Sequence, residues 1–120
     1  MKNDRLLAAL TPADTERLRP HLEEVRLDHH QVLYEPNAAI TRAYFPHAGI
    51  ISLMVPLATG PTIEAAVVGC DGMAGLPLIV HNNVSVSRAV VQASGRASAI
   101  ANERLQRALV ESASLRDLLG

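Results

Sequence analysis

Three glycines and one arginine in the second half of the chain have the types and spacing that bind an anion. Gly69, Gly72 and Gly75 punctuate a turn-like segment, and Arg88 follows in a run of β-branched residues. Glycine lets the backbone approach a ligand closely, and successive free N–H groups in such a turn favour negative charge. The pattern therefore predicts an anion-binding turn beside a strand-borne arginine. The alternative interpretation is that the glycines serve positive φ in tight turns and that Arg88 is solvated or ion-paired.

The elements that must position these residues are short strands with helices on either side. Asn3 or Asp4 is suited to cap a first helix, and Thr11, Pro12 and Asp14 form a near capping box for a second helix that should stop near Pro20. Short β-like runs separated by turn residues then follow. The predicted strands are residues 25–27, 31–34, 43–46, 50–56, 62–68 and 85–93.

The last part of the chain changes from strand to helix. Ser94 and Gly95 separate two apolar runs by a spacing that suits a tight hairpin. After Ala101 the periodicity is helical, with Asn102 as the predicted cap and with Ser114 as the predicted cap of a further helix. Three apolar residues of the first of these helices share one face, namely Leu105, Ala108 and Leu109. Regular strand spacing without intervening helices predicts a mainly β fold with flanking helices, a double-stranded β-helix or jelly roll.

Composition sets the outer limits. A chain of 120 residues is expected to form one domain, and an aromatic content of 2% against 48% hydrophobic residues predicts an aliphatic core. A net charge of −1 argues against an isolated nucleic-acid-binding module. Since the sequence lacks a long apolar run, we expect a cytoplasmic protein that does not insert into a membrane.

Catalytic and metal-binding patterns are not found in the sequence. The five histidines lie in predicted turns or helix ends without metal-ligand spacing, and His29 and His30 would face opposite ways on an extended chain. No serine stands in a nucleophile elbow, so we predict no enzyme activity and no catalytic residue. The single cysteine, Cys70, excludes an internal disulfide, and it is either a buried small hydrophobe or a redox-sensitive thiol.

A family resemblance is carried by residues 68–78, which read VGCDGMAGLPL, and by residues 87–91, which read SRAVV. Together they resemble the phosphate-binding cassette of the cyclic-nucleotide-binding domain, in the version found in Crp/Fnr-type bacterial transcription regulators. Residues 31–37, 43–46 and 49–53 match the early strands and turns of that family in order and spacing. The resemblance covers nearly the whole chain. It implies a single cyclic-nucleotide-binding-like domain over residues 1–120, with N-terminal helices in 1–22, a β-roll in 23–101 and C-terminal helices in 102–120.

The resemblance also implies where an effector would bind. Met73 stands where nucleotide-binding members have the glutamate that holds the ribose, and Ser87 stands where they have the phosphate-pairing arginine, with Arg88 one place later. One residue along a strand reverses the direction of a side chain unless a bulge restores it. The implied effector is a cyclic nucleotide or another small anion. The predicted ligand-binding residues are Gly72, Met73, Ala74, Gly75, Leu76, Ser87, Arg88 and Ala89.

Two functions follow as hypotheses. The first is a ligand-sensing regulatory domain of a Crp/Fnr-like regulator, which signals through its C-terminal helix and forms a homodimer there. DNA would be contacted only through a helix-turn-helix that is absent from this chain. The second is a ligand-free, decayed β-roll that acts as a dimerisation or protein-interaction module. Met73 and Ser87 favour the second hypothesis or a non-nucleotide ligand, whereas Gly72, Gly75 and Arg88 favour the first.

Overall fold

The computed structural model describes residues 4–75 and 87–119, which form an antiparallel β-sheet with helices at both ends. The strands are β1 (Leu22–Leu27), β2 (Val32–Tyr34), β3 (Arg42–Pro56), β4 (Thr62–Val68) and β5 (Arg88–Ala101). They lie in the order β1-β5-β3-β4, and β2 pairs with β5 beyond the end of β1. The predicted mainly β jelly roll is confirmed.

Two predicted boundaries inside the sheet are wrong, for one physical reason. The predicted strands 43–46 and 50–56 are a single strand, β3, and Ser94 and Gly95 lie inside β5 instead of forming a hairpin. The long strands β3 and β5 pair with register shifts around Ala48. A Cβ on Gly95 would overlap the Ala48 carbonyl, and one on Gly49, whose φ is +97°, would lie 2.6 Å from the Ala93 oxygen. These glycines therefore permit close backbone contact at a bulge, a role that local sequence does not distinguish from a turn.

The N-terminal helices begin where their capping residues predict. Asp4 caps α1 (Arg5–Ala8), and the Thr11 hydroxyl accepts the Asp14 N–H at the start of α2 (Pro12–Leu18). A 3-10 turn (Arg19–His21) then leads into β1. The predicted stop near Pro20 is therefore confirmed.

The two C-terminal helices do not use their predicted caps. The residue before α3 (Asn102–Glu111) is Ala101, and the Asn102 amide donates instead to the Ile40 carbonyl at 3.3 Å. At α4 (Ala113–Leu119) the Leu115 N–H donates to the Ser112 hydroxyl, not to Ser114. Asn102 and Ser114 are residue types that often cap helices, but in the folded protein each side chain hydrogen-bonds to a residue distant in sequence instead.

The core lies between the sheet and the helices and is aliphatic, as predicted. Leu18, Ile51, Leu105 and Leu115 are fully buried, and the predicted inner face of α3 is buried as expected. Phe45 also has no exposed surface, and burial of such a side chain contributes about 2–3 kcal/mol. None of the described helices has the length and apolarity needed to cross a membrane.

Candidate functional site

The cassette segment, defined here as residues 69–75, docks directly on β3. Ala74 and Tyr44 exchange two backbone hydrogen bonds of 2.8 and 2.9 Å. Met73 and Ala74 are buried. The methionine that stands at the predicted sugar-binding position therefore fills the protein interior, as a flexible apolar side chain does well.

Only the last cassette glycine has the positive φ that the turn interpretation predicts. Gly75 has φ +103°, and a Cβ there would lie 3.0 Å from the Ala43 Cα. Gly75 is thus required for close approach to β3. Gly69 and Gly72 are not in the positive-φ region, so that interpretation is wrong for both; Gly72 donates its N–H to the Gly69 carbonyl.

The three predicted residues at the start of β5 divide between two faces of the strand. Ser87 and Ala89 are buried. Arg88, between them, points away and forms a 2.7 Å ion pair with Glu35, both side chains being about half exposed. The guanidinium therefore does not share a face with Ser87. Leu76, the remaining predicted ligand-binding residue, lies outside the described residues, and ligand binding at all eight positions stays a prediction.

Tyr34 is the residue of this region that sequence analysis missed. Its side chain is 7% exposed, and its hydroxyl makes no hydrogen bond of normal geometry with any residue that the structure describes. Burial raises the pKa of Tyr34, while the nearby Ser87 side chain and Gly75 backbone act to lower it. Tyr34, Ser87 and Gly75 thus form a polar spot beside the cassette. The signal was available in principle, because Tyr34 ends a predicted strand next to two turn residues.

A continuous run of backbone contacts connects this spot to α3. The position of Gly75 is fixed against Arg42 and Ala43 at the start of β3. The residue before them, Thr41, accepts the Asn102 N–H at 2.8 Å, and Ile40 accepts the Asn102 side chain. The first residue of α3 is therefore bonded to the segment on which the cassette rests.

The leading turn of the cassette is also tied to α1. The Arg5 N–H donates to the Cys70 carbonyl, and the Asp4 N–H donates to His47 Nδ1 at 3.2 Å. Since Nδ1 accepts, the neutral ring carries its proton on Nε2, which donates to the Ser98 hydroxyl at 2.6 Å. Burial lowers the pKa of His47, with Arg96 acting in the same direction and Glu24 against it. The Cys70 thiol itself is exposed, which excludes the buried-hydrophobe interpretation.

The two adjacent histidines differ from their predicted geometry. His29 and His30 lie in a turn where His30 has φ +72°, and their rings stack with centroids 3.7 Å apart. The expectation that they face opposite ways is wrong because the chain is not extended there. Within residues 4–75 and 87–119, no three metal-ligating side chains converge on one point.

Similarity to known proteins is found among solved structures. No protein-family model and no curated protein sequence matches the chain. The N-terminal domain of a transcriptional regulator from Streptomyces coelicolor superimposes with a TM-score of 0.75 at 21% identity, covering 98% of this chain and 82% of that one. The sensor domain of the transcriptional regulator DNR from Pseudomonas aeruginosa gives 0.76 at 16% identity, with coverages of 95% and 77%.

A eukaryotic protein has the same architecture. The regulatory subunit of a cAMP-independent protein kinase A from Trypanosoma brucei, in a mutant bound to cAMP in its A site, superimposes with a TM-score of 0.81 at 12% identity. The match covers 97% of this chain and 43% of that one. The chain described here therefore has the cyclic-nucleotide-binding-domain fold, a jelly roll flanked by helices.

Proposed function

We propose that this chain is the ligand-sensing regulatory domain of a Crp/Fnr-like bacterial transcription regulator and that it has no catalytic activity. A small effector binds between the cassette segment and the roll, and its presence is passed to the C-terminal helices. The similarity to a sensor domain and to a transcriptional regulator's N-terminal domain supports a sensing role. Fold alone does not assign function, so the proposal depends on the residues of the site.

The observation that carries the proposal is the buried hydroxyl of Tyr34, which has no well-aligned hydrogen-bond partner among the described residues and lies beside the Ser87 side chain and the Gly75 backbone. A buried hydroxyl that lacks a well-aligned hydrogen bond is destabilised by up to about 1–3 kcal/mol, and a ligand that supplies a better partner recovers part of that free energy. Ser87 adds a second hydroxyl at the same place. Such a site suits an effector with an uncharged hydrogen-bonding group.

The arrangement does not favour a phosphate. Arg88, the basic side chain of the predicted site, is held on the other face of β5 by Glu35. An anion placed beside Tyr34 and Ser87 would lose its hydration without facing that charge, which is unfavourable. We therefore propose that the effector is an uncharged polar molecule and not a cyclic nucleotide such as the cAMP bound to the mutant T. brucei regulatory subunit.

The route to the C-terminal helices follows the contacts at the start of β3. An effector that displaces the cassette shifts Gly75 against Arg42 and Ala43. Thr41 and Ile40, which precede them, hold Asn102 and therefore the start of α3. For a signal to pass, the effector must bind the two positions of this segment with different affinity.

A metabolite panel tests the proposal by thermal stability and by backbone amide NMR, with adenosine and cAMP as a matched uncharged and anionic pair. We expect uncharged compounds to raise the melting temperature and to shift the amide signals of Gly75 and Asn102 together. Tyr34→Phe should weaken such binding at least tenfold, whereas Arg88→Ala should leave it unchanged. If no compound binds, or if Arg88→Ala abolishes binding and Tyr34→Phe does not, this proposal is wrong.

One observation favours the interaction module as a second candidate. Val110 on α3 is 78% exposed, the most exposed large apolar side chain among those described. A homodimer that pairs two copies of α3 would cover it. Sedimentation that remains monomeric at high concentration would contradict this candidate.

A further inference from the structure

A groove of about 460 Å³ lies on the sheet face that points away from the core. Its position follows from strand alternation, because Ile51 and Val91 are fully buried while their neighbours Ser52 and Val90 face the other way. The groove is therefore separate from the polar spot at Tyr34. Its volume is in the range of small-molecule sites. The side chains that define it are His29, His30, Ser52, Glu64, Val90 and Gln92.

A buried hydroxyl organises the polar side of the groove. Ser52 is 4% exposed, and its oxygen lies 2.6 Å from Glu64 Oε2 and in contact with the Gln92 side-chain amide. One hydroxyl hydrogen cannot serve two acceptors, so a Ser52 hydroxyl that donates to the carboxylate accepts from Gln92 only when the Gln92 amide is turned to present its NH₂ group in place of Oε1. Glu64 is thereby fixed through one oxygen. Its other oxygen has no hydrogen-bond partner within the described part of the chain.

The charge of the groove is negative. Glu64 is the acidic residue among those that line it, and Arg88, which shares this face, is already paired with Glu35. A carboxylate with a free oxygen beside low-dielectric walls attracts a cation.

The remaining walls are apolar or aromatic. Val90 lines the groove, and so do the stacked rings of His29 and His30, named here the His29–His30 wall. Imidazole rings and a valine side chain suit a short aliphatic or flat body. The donor set lacks the three converging ligands of a metal site in the described residues, so an organic cation fits better.

We propose that this groove binds a small organic cation, whose guanidinium or ammonium group pairs with Glu64 and whose body lies on Val90 against the His29–His30 wall. This site is independent of the effector site proposed above. It is formed by side chains of β3, β4, β5 and the turn before β2.

Two isosteric probes, cationic butylguanidine and uncharged butylurea, test the proposal in low salt at pH 7.5. We expect butylguanidine to shift the backbone amide signals of Ser52, Glu64 and Val90 saturably, and butylurea to bind at least tenfold more weakly. Glu64→Gln, an exposed substitution that keeps an acceptor for Ser52, should weaken butylguanidine at least tenfold. Glu103→Gln, which removes a carboxylate from α3, is the matched control and should leave affinity unchanged.

Three results would overturn the proposal. Equal affinity for the two probes would show that charge is not recognised. Equal weakening by Glu64→Gln and Glu103→Gln would show diffuse attraction to acidic residues. Amide shifts confined to Tyr34 and Gly75 would show that the probe binds at the polar spot beside the cassette and not in this groove. The probe comparison uses the unmodified chain, so it stands even where a variant is poorly folded.

Discussion

Two buried carboxylates near the start of the chain, Asp4 at the cap of α1 and Asp14 in α2, differ in their partners although both side chains are almost fully buried. Asp4 is 0% exposed and Asp14 is 2% exposed. Each belongs to the first turn or cap of a short helix. Each also holds that helix to another part of the molecule, so the contrast between them is a contrast between two attachments.

Asp4 is only half satisfied. Its Oδ1 accepts the N–H groups of Leu6 and Leu7 at 2.9 and 3.1 Å, whereas its buried Oδ2 has no partner among residues 4–75 and 87–119. Burial raises the pKa of Asp4 to about 6, against the two backbone hydrogen bonds, and the Asp71 carboxylate adds to the rise.

Asp14 is fully satisfied. The Ser112 hydroxyl donates to Oδ1 at 2.7 Å and the Ser114 hydroxyl donates to Oδ2 at 2.6 Å. These bonds, Ser112 first, lower the pKa of Asp14 further than burial raises it, and Arg17 at 3.6 Å acts in the same direction.

The comparison shows that the balance between desolvation and hydrogen bonding decides whether a buried carboxylate stabilises the fold, since burial dominates at Asp4 and hydrogen bonds dominate at Asp14. Asp14 is a fixed anion that joins α2 to the junction of α3 and α4. Asp4 is a group that titrates near pH 6, and its backbone N–H joins the start of α1 to His47 on β3. The attachment of the C-terminal helices is therefore firm, whereas the stability of the α1 cap at Asp4 depends on pH.

Replacing the aspartate by asparagine should have opposite effects on the free energy of unfolding at the two positions, and the larger effect is expected at Asp14. Asp14→Asn replaces charge-assisted hydrogen bonds by neutral ones and offers an NH₂ group to a hydroxyl that already donates there. We expect a loss of about 2–3 kcal/mol in the free energy of unfolding, measured by urea denaturation at pH 7. Asp117→Asn, at an exposed position of α4, is the control. A loss no greater than that of the control would refute the idea that the two serines stabilise the charged form.

Asp4→Asn should raise stability by about 1–2 kcal/mol at pH 7.5, because it keeps the capping oxygen and removes a buried charge. The pKa of Asp4 is raised on folding from 3.8 to about 6, so the folded state favours the protonated carboxyl. The resulting stabilisation is fully present below pH 3.8 and is lost as the pH rises through 6. The advantage of the variant should therefore grow between pH 4 and pH 7.

His47 acts in the opposite direction in the same pH range. Its pKa is lowered on folding, so its contribution is present above the unfolded value of 6.5 and is lost as the pH falls. Comparing wild type with Asp4→Asn at each pH removes the His47 contribution, because both proteins contain it. A stability difference that does not change between pH 4 and pH 7 would contradict the raised pKa.

The sequence predicted the caps of the N-terminal helices but not the distant side chains that hold those helices in place. Asp4 and Thr11 were identifiable as caps because a capping residue acts within three positions of its helix. The serines that complete Asp14 are 98 and 100 residues away, and no local pattern connects them. For the same reason Ser114 was predicted as a cap, although its hydroxyl serves α2.

The sheet and the candidate site follow the same rule. Strand existence, the aliphatic core and the outward direction expected from the one-residue offset of Arg88 depend on alternation, which is local. The polar contacts of Tyr34 and the close approach of Gly49 to Gly95 depend on which strands pair, which local sequence does not reveal. A pair such as Ser94–Gly95 is equally suited to a tight turn and to close contact between two strands. Sequence therefore predicted the scaffold of the site better than its polar contacts.

Ser114→Ala should have the smallest effect and separates a local role from a tertiary one. Its bond to Asp14 is charge-assisted, but Ser114 is exposed, so water replaces part of what is lost. We expect a loss of about 1 kcal/mol. If Ser114 acts through Asp14, the substitution must also raise the pKa of Asp14, which carboxyl NMR titration measures, and must leave the amide protection of α4 unchanged because Ser112 caps that helix. If the pKa of Asp14 is unchanged and α4 loses amide protection, Ser114 acts as a local cap of α4. The contrast between Asp14 and Asp4 would then depend on the Ser112 hydroxyl alone.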